Sequence, residues 1–555
     1  MDSACLELIG NPWFLRETVF LVWNEEVPLR PMMGSFVLSR STALVLLLAT
    51  LTLGVGLGRS GCLSYHEALV GQGARELLEP GSDWRAPTVG GRPWLEKPPL
   101  AHWLVAALGG IMGRVDEAVA RSPSAISAAL LALGVASLAT RRFGPGIGLL
   151  AGLVQVSAAW VIVRGRLADA DMLLACLVAW SLVAFDRVRS AGDEVEARPW
   201  RWIFFGLLGM TSMVKGIGFG AGLIASAVLV VLLWNRDGRA LRRLAWPLGW
   251  VLAIGLTLAW PLAVLARYPE VLELWTVHVT DRFSPHPERF IGEPWWAFVL
   301  APLGLVLPWT PLALLSLRSS LGRARNEPGG PDRLLWAWAV APLVLLSLAT
   351  VKNSHYLIHA LPPWSIWAAL GLSRLGDRLI ERRGWSADRL RSCGAILFGT
   401  IGVAVALGAL LLAPRWDGRG REWSWYAEVA GQLRSGEPLI LLYDWDGPDP
   451  WDRLPYPTPF GPVPHDLAVR LYYLDLDLDW PILWCNGPDR LTESPPVSGS
   501  FAVIARDRDV PALRRLGRVE PVARGPVGRW DRTYTLFRIV PVGEAIASTS
   551  GPALD

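Results

Sequence analysis

Five short stretches beside long apolar runs hold ionisable residues of types that could do chemistry. The first stretch holds His66 and Glu67, and later Glu96-Lys97-Pro98-Pro99. The second is Arg164-Gly165-Arg166-Leu167-Ala168-Asp169-Ala170-Asp171, which leads into an apolar helix. The third holds His278, Asp281, Arg282, His286 and Arg289, and the fourth is Lys352-Asn353-Ser354-His355-Tyr356. Lys215, between two apolar half-helices, is the fifth. Singly, each has a plain reading. Asp171 or Asp169 can cap a helix, Pro-Pro can simply fix a turn, and a lone lysine can snorkel. Jointly they suit an anionic amphiphile: cations to hold phosphate, carboxylates to move a proton, and Glu with His to bind a metal.

The elements that position these residues are membrane helices. The chain is 52% hydrophobic and only 18% charged, against about 25% for a soluble domain. A span needs about 20 apolar residues. Segments 42–58, 122–139, 146–163, 172–185, 246–265, 296–315, 335–350, 357–372 and 395–413 fit single spans. Residues 202–234 are too long for one and break at Lys215-Gly216, which reads as a hairpin with Lys215 at its turn. The apolar run 101–112 is too short to cross and reads as an interfacial helix in the first external loop. With this threading of about eleven spans, every Arg-rich loop falls inside and all five stretches fall outside. The expected fold is therefore an α-helical multi-pass membrane protein with a small external α/β domain at its C-terminal end.

Three regions follow: a poorly defined extension over 1–40, a membrane domain over 41–413 and the external domain over 414–555. The extension has no signal-peptide layout, and translation is expected to start at Met32 or Met33. In the external domain PLILLY, PILWC, FAVIA and YTLFRI read as strands, and 426–434 and 510–516 as helices. Cys62 and Cys485 would share an oxidising compartment, which leaves a disulfide open. The 30 Trp suit interfacial anchoring and sugar stacking. No basic stripe with interleaved aromatics points to nucleic acid.

The run from Glu67 through Ala74-Arg75-Glu76-Leu77 to Asp83-Trp84, PWLEKPPLAHWL and RSPSA resembles the polytopic glycosyltransferases. These include the lipid A aminoarabinose transferase and the protein O-mannosyltransferases. Asp171-Met172, Lys215-Gly216, His278…Arg282-Phe283, Pro308-Trp309 and Lys352…Tyr356 follow in the family's order, so the likeness covers 41–372. It implies transfer of a hexosyl or pentosyl unit from a polyprenyl-phosphate carrier to a hydroxyl of lipid A, protein or glycan. The implied setting is the outer, periplasmic face of a bacterial inner membrane. It also implies a divalent metal, zinc in the family, at Glu96 and His278, a lipid phosphate near Lys97, Arg282 and Tyr356, and a functional acid at Asp171. Lys352 and Lys215 are further donor-binding candidates, with Lys215 ranked last because it can snorkel. The family carries Asp-Glu where this chain has His66-Glu67. Either residue takes the missing role beside Asp171, or the acceptor differs, or the chain is an inactive relative. A transporter is the other class, opposed by charges that sit at one face rather than along a mid-bilayer path.

Overall fold

The computed structural model describes residues 39–59, 61–276, 294, 296–349, 352–416, 420–443, 467–476, 480–488, 491, 499–526 and 533–541. Among the described residues each expected span is helical, yet length and apolarity qualify only four helices there to cross a membrane: Arg40–Arg59, Glu117–Phe143, Pro247–Leu265 and Ala387–Arg415. The bent pair Pro145–Ser157 and Ala159–Gly165, turned by 59°, makes a fifth. The protein is thus an integral membrane protein, but the count of eleven is not reached on these grounds. Breaks and charges account for the shortfall. Segment 296–315 divides into Ala297–Leu305 and Thr310–Asn326, and Phe219–Asn235 has only 17 residues. Helix Asp171–Ser190 carries Asp186, Arg187 and Arg189 in its last two turns.

That helix is the axis of the bundle. Met172, Leu174, Val178, Leu182 and Phe185 are all fully buried along it, and the main apolar core surrounds it. At its far end Asp186 takes both arms of the Arg142 guanidinium at 2.8 and 2.5 Å, with Arg189 at 3.5 Å. The hairpin expected around Lys215 is present. Ser212–Lys215 ends at Gly216, and Phe219–Asn235 starts after Gly218. Both glycines have positive φ, 86° and 90°, which a side chain would resist.

The first loop is more ordered than its polarity suggested. Leu100–Met112 forms the short helix expected at the interface. Helix Tyr65–Leu77 precedes a two-stranded hairpin, β1 (Thr88–Val89) with β2 (Arg92–Pro93). Gly90 and Gly91 make the turn with φ of 64° and 74°, as tight hairpin turns require. Glu76 holds it: its carboxylate accepts from Thr88 Oγ1 at 2.6 Å, Gly90 N–H at 2.7 Å and Gly91 N–H at 3.1 Å.

The C-terminal region carries a five-stranded mixed sheet in the order β4-β3-β5-β7-β6. Its strands are β3 (Leu439–Tyr443), β4 (Ile482–Asn486), β5 (Phe501–Arg506), β6 (Arg518–Arg524) and β7 (Tyr534–Val540). β3 runs parallel to both β4 and β5, and β7 antiparallel to β5 and β6. The four runs read as strands are strands. Helices stand at Gly420–Ala430 and Val510–Leu513, and a further one at Leu467–Leu474. One face of the sheet shares a core with the first loop: Leu439, Leu441, Ala502 and Ile504 join Leu63, Leu69, Val89 and Trp94. Arg75 clamps the junction through the Tyr472 carbonyl and Asp475, and its guanidinium lies 3.9 Å from the Tyr472 ring centre. Cys62 stands as a thiol, so the disulfide considered for it is not formed.

Candidate functional site

Asp171 opens the axial helix and is 4% exposed. Lys215 Nζ donates to its Oδ1 and Arg164 Nη2 to its Oδ2. His355 Nε2 stands 3.9 Å from Oδ2. Arg164 also pairs with Asp169, whose Oδ1 accepts the Asp171 N–H at 3.0 Å. Lys215 is 5.0 Å from the Tyr356 ring centre and 5.5 Å from that of Phe219. Its ammonium therefore meets a carboxylate and two aromatic faces inside the protein. The reading of Lys215 as a side chain that merely snorkels is overturned.

Lys97 belongs to the same field. Burial lowers its pKa, Glu96 raises it, Lys215 lowers it, and Asp171 and Tyr356 raise it. The loop bearing it is held from outside: Trp275 Nε1–H donates to the Leu95 carbonyl at 2.8 Å, and Trp260 Nε1–H to that of Arg85 at 2.8 Å. Glu96, beside Lys97, also acts on Tyr65, whose phenol is pushed well above its usual value mainly by burial. Tyr356 is 8% exposed, and its ring meets those of His355 at 4.4 Å and Phe219 at 5.7 Å. Lys352 donates to the Ala349 carbonyl at 2.8 Å.

His355 is pushed down to about 4, first by burial; Lys215, Arg164 and His66 add to the fall and Asp171 opposes it. His66 itself is exposed and packs on Tyr65 at 4.9 Å. It thus lies within electrostatic reach of His355 and the cluster. Glu67, expected among the catalytic residues, is committed to internal partners. Its side chain is buried, and Oε1 accepts from Arg121 Nε at 2.8 Å and the Ala168 N–H at 3.1 Å. Oε2 takes the Ser64 N–H at 2.8 Å. Glu67 fixes the first loop against loop 166–170; it is a brace.

His278 and Arg282 lie outside the described residues. Among the described residues no group of three His, Cys, Asp or Glu is placed to hold a metal. Of the two expected ligands only Glu96 lies among the described residues, fewer than the three protein ligands usual in catalytic zinc sites. What the sequence did not bring out is the joint role of Arg164, Asp169 and His355. All three stood in the ionisable stretches. Only the fold shows that one guanidinium serves both aspartates and that His355 reaches Asp171.

Residues 96–264, which take in Glu96, Lys97, Asp171 and Lys215, match the family described as dolichyl-phosphate-mannose-protein mannosyltransferase. The undecaprenyl phosphate-alpha-4-amino-4-deoxy-L-arabinose arabinosyl transferase of Pseudomonas aeruginosa (strain UCBPP-PA14) is 30% identical over 341 residues, 60% of this chain. The protein so named from Pseudomonas savastanoi pv. phaseolicola is 29% identical over 412 residues, 73% of this chain and 70% of its own length. The resemblance to polytopic glycosyltransferases is borne out. The match spans 58% of the P. aeruginosa relative's length. The crystal structure of ArnT from Cupriavidus metallidurans bound to undecaprenyl phosphate has the same fold, with a TM-score of 0.69 at 20% identity. That likeness covers 92% of this chain and 98% of the other, so the C-terminal sheet region lies within the span of the shared architecture.

Proposed function

We propose that the protein transfers a sugar from a polyprenyl-phosphate carrier to an acceptor hydroxyl, at the Asp171 end of the bundle. The observation that carries this reading is the convergence of Lys97, Lys215, Arg164 and Tyr356 around Asp171. Leaving phosphate gathers negative charge in the transition state, and preorganised cations in a water-poor site stabilise it most. Lys97 and Lys215 meet that need from two separate loops. Asp171 sets where Lys215 stands before a donor arrives. Both Asp171 oxygens face cations, so its main contribution is to place charge. Arg282 is proposed as a further phosphate ligand.

The same proposal places this end outside, in the periplasm of a bacterial inner membrane, with about eleven spans and the C-terminal sheet region on the outer side. Its support is the distribution of arginine: Arg142, Arg189, Arg243, Arg323 and Arg333 all sit in loops assigned to the inside. The relatives' names make 4-amino-4-deoxy-L-arabinose on undecaprenyl phosphate the first donor to offer, and the resemblance drawn from the sequence makes lipid A the first acceptor. Mannose on dolichyl phosphate is the alternative donor that the family match suggests. A divalent ion on Glu96 and His278 stays part of the proposal; an ion there would draw electron density from a bound phosphate oxygen. Its test is metal content of the purified protein with undecaprenyl phosphate bound, and loss of transfer on chelation.

The deciding experiment follows labelled sugar from each donor into lipid A, protein and glycan fractions in membranes that contain the full chain. Incorporation that Lys97→Ala and Asp171→Asn abolish supports the reading. No incorporation from either donor, in membranes that hold folded protein, overturns it.

A further inference from the structure

Two arginines at the Asp186 end of the axial helix stand outside the forks that close it. Asp186 is already filled by Arg142 and Arg189. Arg141, near the end of helix Glu117–Phe143, gives Nη2 to Ser190 Oγ at 2.5 Å. Its Nη1 has no hydrogen-bond partner among the described residues. Arg187, on the axial helix, stands 5.1 Å above the Trp200 ring centre, with no ion pair among the described residues. Both arginines are half-buried. The charges that act on Arg141 are Arg187, Asp186, Arg142 and Glu196. Glu196 is exposed and accepts the Gly192 N–H at 2.8 Å. Three guanidinium groups thus meet where one carboxylate is spent and the other faces water. Half-buried charge without a partner is costly, and an anion relieves it.

The helix faces below these two cations are apolar and open. Leu130 lies about three turns before Arg141, on the same side of its helix, and is 45% exposed. Trp180, about two turns before Arg187 on the axial helix, donates Nε1–H to the Leu130 carbonyl at 2.9 Å. Its indole lies against Gly134, where a β-carbon would stand 3.1 Å from the ring nitrogen. From Arg141 to Leu130 is about 16 Å, close to the half-thickness of about 15 Å of a bilayer's hydrocarbon core. We propose that Arg141 and Arg187 hold the phosphate of an anionic phospholipid, with an acyl chain laid along Leu130 and Trp180. A guanidinium fork suits phosphate oxygens, and basic pockets between membrane helices on the inner side suit anionic headgroups. The apolar faces favour a lipid over a soluble anion. The phosphate ties helix Glu117–Phe143 to the axial helix from the lipid side, in front of the Arg142–Asp186 fork. Such a lipid is structural, and its place is independent of what the Asp171 end transfers.

The test titrates the full chain, in a neutral detergent, with phosphatidylglycerol, phosphatidylcholine or inorganic phosphate. Bound lipid is counted by native mass spectrometry, and melting temperature is read alongside. Phosphatidylglycerol should bind and raise the melting temperature. Phosphatidylcholine and inorganic phosphate should act about tenfold or more weakly. Arg141→Gln and Arg187→Gln should each weaken phosphatidylglycerol binding about fivefold. Arg187→Gln breaks none of the forks at this end, so it keeps the test open if Arg141→Gln, which loses the Ser190 bond, fails to fold. Arg239→Gln removes an exposed charge from another loop assigned to the same side, and should change binding by less than about twofold. Equal binding of phosphatidylglycerol and phosphatidylcholine by wild type overturns the site. An Arg239→Gln loss equal to that of Arg187→Gln overturns it too, since the preference then belongs to the whole basic face. A rise in melting temperature with inorganic phosphate that matches the rise with phosphatidylglycerol overturns the lipid as occupant.

Discussion

The two ends of the axial helix carry charge in opposite styles. At the Asp186 end, arginines meet carboxylates as planar forks and spend their remaining donors on carbonyls. Arg142 chelates Asp186, Arg189 reaches the Gly329 carbonyl at 3.2 Å, and Arg323 chelates Asp332 at 2.7 and 2.9 Å. Arg243 takes the Val188 and Ala191 carbonyls at 2.8 and 2.9 Å. At the Asp171 end the cations include two lysines, two histidines stand among them, and aromatic rings back them. Lysine is a mobile point charge where arginine is a rigid fork. The first end is built to close helices together. The second holds charge that a ligand can claim.

The contrast breaks first on paired substitutions. Asp186→Asn should leave Arg142 and Arg189 facing a neutral group in a buried place. Loss of one partner from such a pair costs about 3–5 kcal/mol, so melting temperature and yield should fall while transfer per folded molecule holds. Asp171→Asn should do the reverse: transfer lost by about a hundredfold or more, with yield kept. Equal behaviour of the two variants, in either sense, would dissolve the distinction.

Next in size are the two lysines. A charge-assisted contact is worth about 1.5–3 kcal/mol, which is about ten- to a hundredfold in donor use. Lys97→Ala and Lys215→Ala should each show that loss in rate measured against donor concentration. Lys97→Arg should rescue poorly, since the Pro98-Pro99 turn after it suits a point charge. If Lys215→Ala leaves donor dependence untouched, its pairing with Asp171 serves folding alone, and the two ends are more alike than argued.

A pH effect on stability is smaller and separates the ends again. His355 and the buried His102 are both pushed down to about 4 by burial. In the unfolded chain each takes a proton near pH 6.5. Between that value and about 4 the unfolded state holds more protons on these two rings, so their own contribution to stability falls as pH falls. His355→Gln should flatten that slope in melting curves taken from pH 7 to 5. The contacts of the other end are arginine forks on carboxylates and carbonyls rather than histidine. An unchanged slope in the variant removes His355 from this account.

Much of the scaffold was legible because apolar length and arginine placement are local signals. The short interfacial helix, the break at Lys215 and the four strands PLILLY, PILWC, FAVIA and YTLFRI all needed only their own residues. β6 was missed because RVEPVAR mixes charges and a proline into a strand that pairs with β7. The hairpin at Gly90-Gly91 was hidden because its anchor, Glu76, lies on a preceding helix. At the site, the stretches that supply chemistry were visible but their pairings were not. Glu67 looked as available as His66 until Arg121, 54 residues on, proved to fill it. Lys215 ranked last among the donor-binding candidates because its carboxylate is 44 residues away in sequence. Contacts of that range come from packing, which no single stretch encodes.

The smallest effect tests what braces the Asp171 end, a support from the C-terminal sheet region. Tyr473 Oη accepts the Leu63 N–H at 2.8 Å and donates to Glu117 at 3.1 Å. Leu63 stands three residues before His66 and four before Glu67, so this phenol fixes the entry to the first loop. Tyr472 Oη adds a bond to the Val115 carbonyl at 3.1 Å. Tyr473→Phe removes one hydroxyl and leaves the ring, which stacks at 6.1 Å on Trp423. The expected cost is about 1 kcal/mol, too little to unfold the protein. It should show as faster amide exchange at Leu63 and Ser64, with exchange in helix Asp171–Ser190 unchanged. Transfer should fall by only a few-fold, because Glu67 and Arg121 still hold the loop from below. Exchange that rises equally along the axial helix would mean the phenol supports global stability. Unchanged exchange at Leu63 would mean that the C-terminal region does not brace this end at all.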